Sequence, residues 1–364
     1  MSDYDQKINE LEEELKKTKY NKRTQHHIGL VKAKIARLKD KDEQKKKGVK
    51  KGEGFSVKKS GDATVVLIGF PSVGKSTLLN KLTNAESKVA AYDFTTLTVI
   101  PGLLDYGGAK IQVLDVPGVI KGAAEGKGRG KEIFSVLRAS DLVVVLLEVN
   151  HPGNLKIIQN EVYEIGLRLN KKKPDVQIKR TAKGGINLIL GTKLTNIQEK
   201  TVKAILNEFR ITNADVVIRD DISEDELIDV IEANKVYVPS IVILNKTDLV
   251  KDKKLEQLKV ALNPDLLMSA EQGSGVEELK KMIFSRLNLI RIYCKQPGKK
   301  ADVNEPIIFK EGATLKDVCN KLHRDFEKRF RFARIWGSTK YPGLRIKRLN
   351  YEVKDKDVIE LHLA

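Results

Sequence analysis

Short apolar runs that end in turns recur through the middle of the chain. Continuous runs of this kind predict strands that are buried on both faces, and the segments between them have helical spacing. The predicted elements are a helix over 75 to 84 and strands at residues 64 to 69, 110 to 114, 142 to 149, 240 to 244 and 266 to 268. Strands that alternate with helices predict a doubly wound, mostly parallel α/β sheet. The turn Tyr106-Gly107-Gly108 predicts one antiparallel hairpin at its edge.

The first 60 residues have a different pattern. Ile8, Leu11 and Leu15 recur at helical spacing over residues 3 to 18, and a second helix is predicted over 27 to 39. Together they predict a helical hairpin. Two uses of it remain open: a helix-turn-helix that meets nucleic acid, or a plain antiparallel hairpin docked on the body. Residues 45 to 61 are rich in Lys and Gly and predict a basic linker.

Two further regions are predicted to be separate units. After a predicted helix over 153 to 170, residues 171 to 237 exceed what one crossover needs, which predicts a small α+β insertion. From residue 290, short strands surround one helix, predicted from Leu315 to Phe326 with Thr314 as N-cap, which is typical of a β-grasp unit. The predicted domains are residues 1–60, 61–170, 171–237, 238–289 and 290–364.

The positive charge is concentrated at the two ends of the chain. The formal net charge is +18 over 364 residues, and residues 1–60 and 291–364 each carry 18 basic against 10 acidic side chains. Basic ends on a nearly neutral body favour a polyanionic partner, most plausibly nucleic acid. A lysine-rich surface that only aids solubility is the alternative. The two cysteines favour a reducing cytoplasm, and no apolar run reaches the ~20 residues that span a bilayer, so no membrane is indicated.

A glycine loop lies between the first predicted strand and its helix. Gly69-Phe70-Pro71-Ser72-Val73-Gly74-Lys75-Ser76 fits the pattern G-x-x-x-x-G-K-[ST]. Its backbone N–H groups and the helix N-terminus converge on one anionic point, which suits a β-phosphate. Lys75 would add charge, Ser76 would hold Mg²⁺, and a Cβ at either outer glycine would block the phosphate. The predicted phosphate-binding residues are Gly69, Pro71, Ser72, Val73, Gly74, Lys75, Ser76 and Thr77.

Further motifs follow in the order that a guanine-nucleotide site requires. In Asp115-Val116-Pro117-Gly118, the carboxylate is expected to orient a Mg²⁺-bound water and the glycine N–H to meet the γ-phosphate. In Asn245-Lys246-Thr247-Asp248, a buried Asp248 carboxylate would accept two guanine N–H groups that adenine does not offer. Ser269-Ala270 ends the last strand and can offer a backbone N–H to the guanine O6. The predicted guanine contacts are Asn245, Lys246, Asp248, Ser269 and Ala270.

The stretches GFPSVGKSTLLNKLTNAESKVAAYDFTTLT and DVPGVIKGAAEGKGRG resemble the Obg-type GTPases, and specifically the developmentally regulated GTP-binding (DRG) proteins. The resemblance covers almost the whole chain. It implies a helix-turn-helix N-terminal region, a GTPase domain interrupted by an S5-like α+β insertion, and a C-terminal TGS domain of β-grasp type. Of the paired Thr95 and Thr96, it selects Thr96 as the Mg²⁺-sensing threonine. Expected catalytic residues are Lys75, Thr96 and Gly118, with Mg²⁺ on Ser76, Thr96 and, through water, Asp115.

The residues after the DxxG glycine predict slow hydrolysis. Val119 and Ile120 stand where many signalling GTPases have a glutamine that orients the attacking water. Another group, a monovalent cation or a partner must supply the missing stabilisation, which for an arginine finger is worth ~10³ to 10⁵ in rate. The DRG resemblance implies stimulation by K⁺, although Ser72 stands where potassium-dependent relatives have asparagine.

The C-terminal region interleaves basic and aromatic residues, a pattern that suits RNA. Phe326, Phe330 and Trp336 are expected to form the core of the β-grasp unit instead. The resemblance implies action on the ribosome in translation and allows a stabilising partner protein, and no DNA is indicated. A GTP-regulated scaffold that binds only proteins is the alternative function. The RNA-contact candidates are Lys328, Arg329, Arg331, Arg345, Lys347 and Arg348.

Overall fold

The structure is a computed structural model that describes residues 3–19, 21, 24–47, 61–83, 100–116, 130–302 and 305–364. Within these ranges one 3-10 helix covers Thr247–Leu249. The α-helices are α1 Asp3–Lys17, α2 Gln25–Lys47, α3 Lys75–Leu82, α4 Gly130–Ala139, α5 Asn154–Glu164, α6 Glu199–Glu208, α7 Glu224–Glu232, α8 Asp252–Leu262, α9 Val276–Arg286, α10 Leu315–Leu322 and α11 Phe326–Arg329.

The strands form several sheets. They are β1 Ala63–Gly69, β2 Ile100–Tyr106, β3 Ala109–Asp115, β4 Leu142–Glu148, β5 Leu167–Leu169, β6 Val176–Arg180, β7 Ile186–Leu190, β8 Ala214–Ile218, β9 Val236–Val238, β10 Ser240–Asn245, β11 Leu266–Leu267, β12 Leu289–Lys295, β13 Ile307–Lys310, β14 Phe330–Trp336, β15 Leu344–Ile346 and β16 Val358–Leu363.

The chain divides into two compact units, of which one joins Phe55–Asn170 to Val238–Ala364. Its main sheet has the order β11-β10-β4-β1-β3-β2, and every neighbouring pair is parallel except β2 with β3. All of β1 is buried, as expected for a central strand with helices on both faces. The predicted α/β class and the edge hairpin are therefore confirmed. Because the parallel strands share a direction, the loops after β1, β3, β10 and β11 lie at one edge of the sheet.

The same unit contains the predicted β-grasp region. Its five strands have the order β13-β12-β16-β14-β15, with β12 and β16 parallel and the other neighbouring pairs antiparallel. One face of this sheet forms a core with α10, to which Ile292, Leu315 and Ile335 contribute fully buried side chains. Thr314 and Asp317 form a capping box at the start of α10.

The second unit joins Met1–Gly54 to Lys171–Tyr237. α1 and α2 pack against each other through Ile8, Val31 and Ile35. α2 also packs on α6 and α7, and Ala33 lies in the core of the insertion. The hairpin is therefore docked on the insertion, and its use against nucleic acid stays a prediction. The insertion itself is an α+β layer whose sheet has the order β6-β8-β7.

Two predicted helices end earlier than the sequence pattern indicated. The helix predicted to reach residue 170 ends at Glu164, because Gly166 has a φ of 92° and the chain then enters β5. The helix predicted from Leu315 to Phe326 ends at Leu322, where His323 is extended. Among the elements that were not predicted are the strand β6 and the helices α4, α7, α8 and α9.

Candidate functional site

Two glycines of the loop after β1 are required by the protein's own packing. Gly74 has a φ of 95°, and a Cβ built on it would lie 2.6 Å from Nδ2 of Asn245. A Cβ on Gly69 would lie 2.7 Å from the carbonyl oxygen of Leu146. The sequence argument assigned both glycines to phosphate access, so the structure adds a second reason that involves strands distant in sequence.

Lys75 begins α3 and reaches back over the loop. Its Nζ donates to the carbonyl oxygens of Gly69 and Phe70, both at 3.0 Å. Burial lowers the pKa of Lys75, although the negative charge of Asp115 acts in the opposite direction. The ammonium group is thus fixed at the centre of the loop, where a phosphate oxygen would exchange for the carbonyl contacts.

Ser76 and Asp115 bring together the ends of the loop and of β3. The Ser76 hydroxyl donates to Oδ2 of Asp115 at 2.9 Å. Oδ1 of Asp115 is buried and has no hydrogen-bond partner among the described residues. A buried carboxylate oxygen without a donor carries a substantial desolvation cost, and a hydrated Mg²⁺ would satisfy it. These two side chains therefore fit the predicted Mg²⁺ site.

Asn245, at the end of β10, connects two loops through one buried side chain. Its Nδ2 donates to the carbonyl oxygen of Val73 at 2.8 Å, and its Oδ1 accepts from the N–H of Ala270 at 2.9 Å. Beside it, the Thr247 hydroxyl donates to the carbonyl oxygen of Met268 at 3.0 Å. The phosphate loop, the NKxD motif and the Ser269-Ala270 loop thus form one hydrogen-bonded assembly.

Two expectations about the guanine contacts need correction. Asp248 is exposed in its 3-10 helix, so the carboxylate is not buried by the protein itself. The Ala270 N–H already donates to Asn245, and that of Ser269 donates to the carbonyl oxygen of Ser274 at 3.1 Å. A contact from Ala270 to guanine O6 would therefore have to share the N–H with Asn245.

Comparisons with known proteins agree with this site. A family model described as a 50S ribosome-binding GTPase matches residues 64–180, the model for the C-terminal region of that domain matches 183–289, and a TGS domain model matches 290–363. The developmentally-regulated GTP-binding protein 2 of Homo sapiens is 42% identical, and the alignment covers 98% of each chain. The chain belongs to the DRG family of GTP-binding proteins.

Other relatives extend the comparison beyond animals. The developmentally-regulated GTP-binding protein 2 homolog of Dictyostelium discoideum is 43% identical over 98% of each chain. An uncharacterized GTP-binding protein of Methanocaldococcus jannaschii is 50% identical over 98% of this chain and 92% of its own. The resemblance to DRG proteins is thereby confirmed, and the chain is a P-loop GTPase with a TGS domain.

Some predicted DRG site residues are not in the described part of the chain. Thr95, Thr96, Pro117, Gly118 and the residues that follow Gly118 up to 129 lie outside it. The predicted roles of Thr96 and Gly118 therefore stay predictions. Within the described ranges, Lys75, Ser76 and Asp115 come together at one end of the sheet, and Asn245 reaches the same loop.

Glu148, at the end of β4, is a residue of this assembly that the sequence argument missed. Its Oε1 lies 3.3 Å from Nζ of Lys246, whose φ is 62°. The ion pair fixes the ammonium end of Lys246, a side chain that was predicted to contact the nucleotide. The signal was available, since β4 was a predicted strand and its end lies beside the end of β10 in a parallel sheet.

The RNA-contact candidates of the TGS domain lie on exposed positions. Lys328 and Arg329 end α11, Arg331 is in β14 and Arg345 is in β15, while Lys347 and Arg348 follow β15. Of the aromatic residues expected in the core, Phe330 packs against it. Trp336 lies instead on the opposite face of β14 from Ala333 and Ile335. Nζ of Lys295 lies 4.0 Å from the centroid of the Trp336 ring. No helix within the described ranges is long and apolar enough to cross a membrane.

Proposed function

We propose that this DRG protein hydrolyses GTP to GDP and phosphate as a Mg²⁺-dependent switch that acts on RNA or the ribosome in translation. The observation that carries the switch chemistry is the buried Oδ1 of Asp115, without a donor among the described residues, beside the Ser76 hydroxyl at the start of α3. Such a pair suits a hard cation next to a phosphate-binding loop.

Each residue has a distinct part in the proposed reaction. Lys75 offers its ammonium group to the β- and γ-phosphate oxygens, and Asn245 keeps the loop at Val73 in place against the base-binding segment. Ser76 and Asp115 would hold Mg²⁺, Ser76 directly and Asp115 through a water. When bound, Mg²⁺ neutralises charge that develops on the phosphate oxygens. Asp248 accepts the guanine N–H groups.

Thr96 and Gly118 are proposed to read the γ-phosphate. The threonine hydroxyl would complete the Mg²⁺ shell, and the glycine N–H would donate to the γ-phosphate, so both contacts exist only before hydrolysis.

We expect slow intrinsic hydrolysis that K⁺ accelerates. Val119 and Ile120 cannot orient water as a glutamine does. Ser72 is exposed at the loop with a φ of 63°, but it stands where K⁺-dependent relatives have asparagine, so the expected K⁺ effect rests on the DRG resemblance alone. Initial rates of phosphate release in KCl and NaCl at equal ionic strength test this expectation. Equal rates of phosphate release in KCl and NaCl would contradict the expected acceleration by K⁺.

The action on RNA or the ribosome is supported by the match to the 50S ribosome-binding GTPase family model and by the basic TGS surface. The experiment is co-sedimentation with ribosomes, with the protein loaded with GDP or a non-hydrolysable GTP analogue, at two salt concentrations. Preferential sedimentation of the GTP form is expected. If neither form sediments with ribosomes, the alternative of a GTP-regulated scaffold that binds only proteins would be favoured. A stabilising partner protein would then be the candidate binding partner.

A further inference from the structure

One face of the TGS sheet carries a column of flat side chains. Along β14, Ala333 and Ile335 are buried in the core, so Phe332 and Arg334 lie on the opposite face. The strand pairing places His362 of β16 beside Phe332, and Arg345 of β15 beside Arg334. We call Phe332, Arg334, Arg345 and His362 the stacked face.

Three planar groups of the stacked face, those of Phe332, Arg345 and His362, stack on one another. The rings of Phe332 and His362 stack with centroids 4.2 Å apart and an interplanar angle of 12°. On the other side, Cζ of Arg345 lies 3.7 Å from the Phe332 ring centroid. A guanidinium on an aromatic ring is held by cation–π attraction and keeps its N–H groups at its edge. The column therefore presents ordered donors and planar surfaces on an accessible part of the sheet.

The stacked face lies within the longest stretch of the TGS domain without acidic residues. No Asp or Glu occurs between Lys328 and Tyr351. The six basic side chains from Arg331 to Arg348 have no ion-pair partner among the described residues: Arg331, Arg334, Lys340, Arg345, Lys347 and Arg348. The nearby Glu360 is buried and already bonded to Lys295 and His362 at 2.9 and 2.6 Å. Uncompensated positive charge beside planar groups is complementary to a nucleic acid backbone with accessible bases.

We propose that the stacked face binds unpaired RNA, with the phosphates along the basic side chains and a base stacked on the column at Arg345 or His362. The inference rests on the proposed action on RNA, and it specifies the class of RNA and the residues. Unpaired RNA is chosen over duplex because only unpaired bases expose their faces to aromatic rings and guanidinium planes. The TGS core does not need these rings, since it is complete on the other face of the sheet.

The test is fluorescence anisotropy with the full-length protein and two labelled probes, an oligouridylate of about 12 nucleotides and a duplex of similar length. We expect the oligouridylate to bind more tightly. Phe332→Leu and Arg345→Ala should each weaken its binding ~5- to 150-fold, the range for losing one stacked base. Phe332→Tyr keeps the ring and should retain affinity. Arg345→Lys keeps the charge and should lose part of the affinity, because a lysine cannot stack.

Lys259→Ala is the matched control, because Lys259 is an exposed residue of α8 that loses the same charge away from the TGS domain. GTP hydrolysis without RNA should be unchanged in every variant and reports an intact fold. Equal or tighter binding of the duplex, or losses no larger than that of Lys259→Ala, would overturn the inference. If the variants still sediment with ribosomes in a GTP-dependent way, the proposed function stands and only the stacked face fails.

Discussion

Asn245 makes two buried hydrogen bonds that join segments far apart in sequence. Its Nδ2 donates to the carbonyl oxygen of Val73, and its Oδ1 accepts from the N–H of Ala270. Removing the side chain leaves both backbone groups without partners in a buried position, at a cost of ~1–3 kcal/mol each. A single amide therefore supports the phosphate loop and the base-binding loop together.

Asn245→Ala is accordingly expected to lower the free energy of unfolding by about 2–5 kcal/mol and to weaken GTP binding. Urea unfolding and nucleotide titration measure the two effects. Asn245→Asp keeps the acceptor for Ala270 but places a buried carboxylate oxygen against the carbonyl oxygen of Val73, so it should lose at least as much stability as the alanine variant. Native-like stability of either variant would contradict the shared role.

Asp248 is exposed in the structure, so its proposed contribution to selectivity would arise only when the base covers it. Asp248→Asn replaces an acceptor with a group that offers a donor to the guanine N–H groups. We expect GTP affinity to fall ~5- to 150-fold, the cost of an unpaired group in a covered site, with ATP affinity unchanged. Competition titrations with GTP and ATP measure the ratio of the two affinities. Asp252→Asn, on α8, is the control, and a preserved GTP preference in Asp248→Asn would remove the residue from the base site.

At the scale of elements, the turn between β2 and β3 meets the start of the TGS domain. Gly108 has a φ of 82°, and a Cβ on it would lie 2.3 Å from Cγ of Pro306. The neighbouring Gly107 also has a positive φ, 58°, but its nearest atom would be 3.5 Å away, on Arg291. A substitution at Gly107 therefore introduces backbone strain alone, whereas one at Gly108 introduces both backbone strain and steric overlap.

Gly107→Ala should cost about 1 kcal/mol from the left-handed backbone alone. Gly108→Ala should cost more, because the turn or Pro306 must also shift. Thermal unfolding of the two variants gives the comparison within one turn. If both variants are destabilised equally, the contact between the new Cβ and Pro306 is relieved by a shift that costs no stability.

The same elements show what the sequence pattern could and could not predict. The strands β1 and β4 are continuous apolar runs, so their burial and place in the sheet were predictable. The strand β6 was missed because it contains only two apolar residues, Val176 and Ile178, and ends in the basic pair Lys179 and Arg180. The motifs located the loops of the site. The bond from Asn245 to Val73 and the clash that a Cβ on Gly74 would make link residues about 170 positions apart in sequence, which no local pattern contains.

At the scale of the whole molecule, the GTPase and TGS regions of one compact unit are joined by ion pairs. Lys310 of β13 lies 2.8 Å from Asp141, and Lys321 of α10 lies 3.6 Å from Asp62. Asp62 and Asp141 flank the sheet near β1, since Asp141 also accepts from the N–H of Thr64 at 3.0 Å. The hairpin β2–β3, which touches the TGS domain at Gly108, lies in sequence between Thr96 and Gly118.

If the nucleotide moves this hairpin, the docked TGS domain carries the change to its RNA surface. The coupling must be reciprocal, so ribosomes would also favour the GTP form, and typical couplings change affinity ~5- to 150-fold. Removing Lys310 and Lys321 together, as Lys310→Ala with Lys321→Ala, should bring the ratio of ribosome affinities in the GTP and GDP forms towards one. GTP hydrolysis without ribosomes should be unchanged. Lys316→Ala breaks only a pair inside the TGS domain, with Glu327 at 3.0 Å, and should keep the ratio. An unchanged ratio in the double variant would show that the nucleotide acts on the ribosome through another surface.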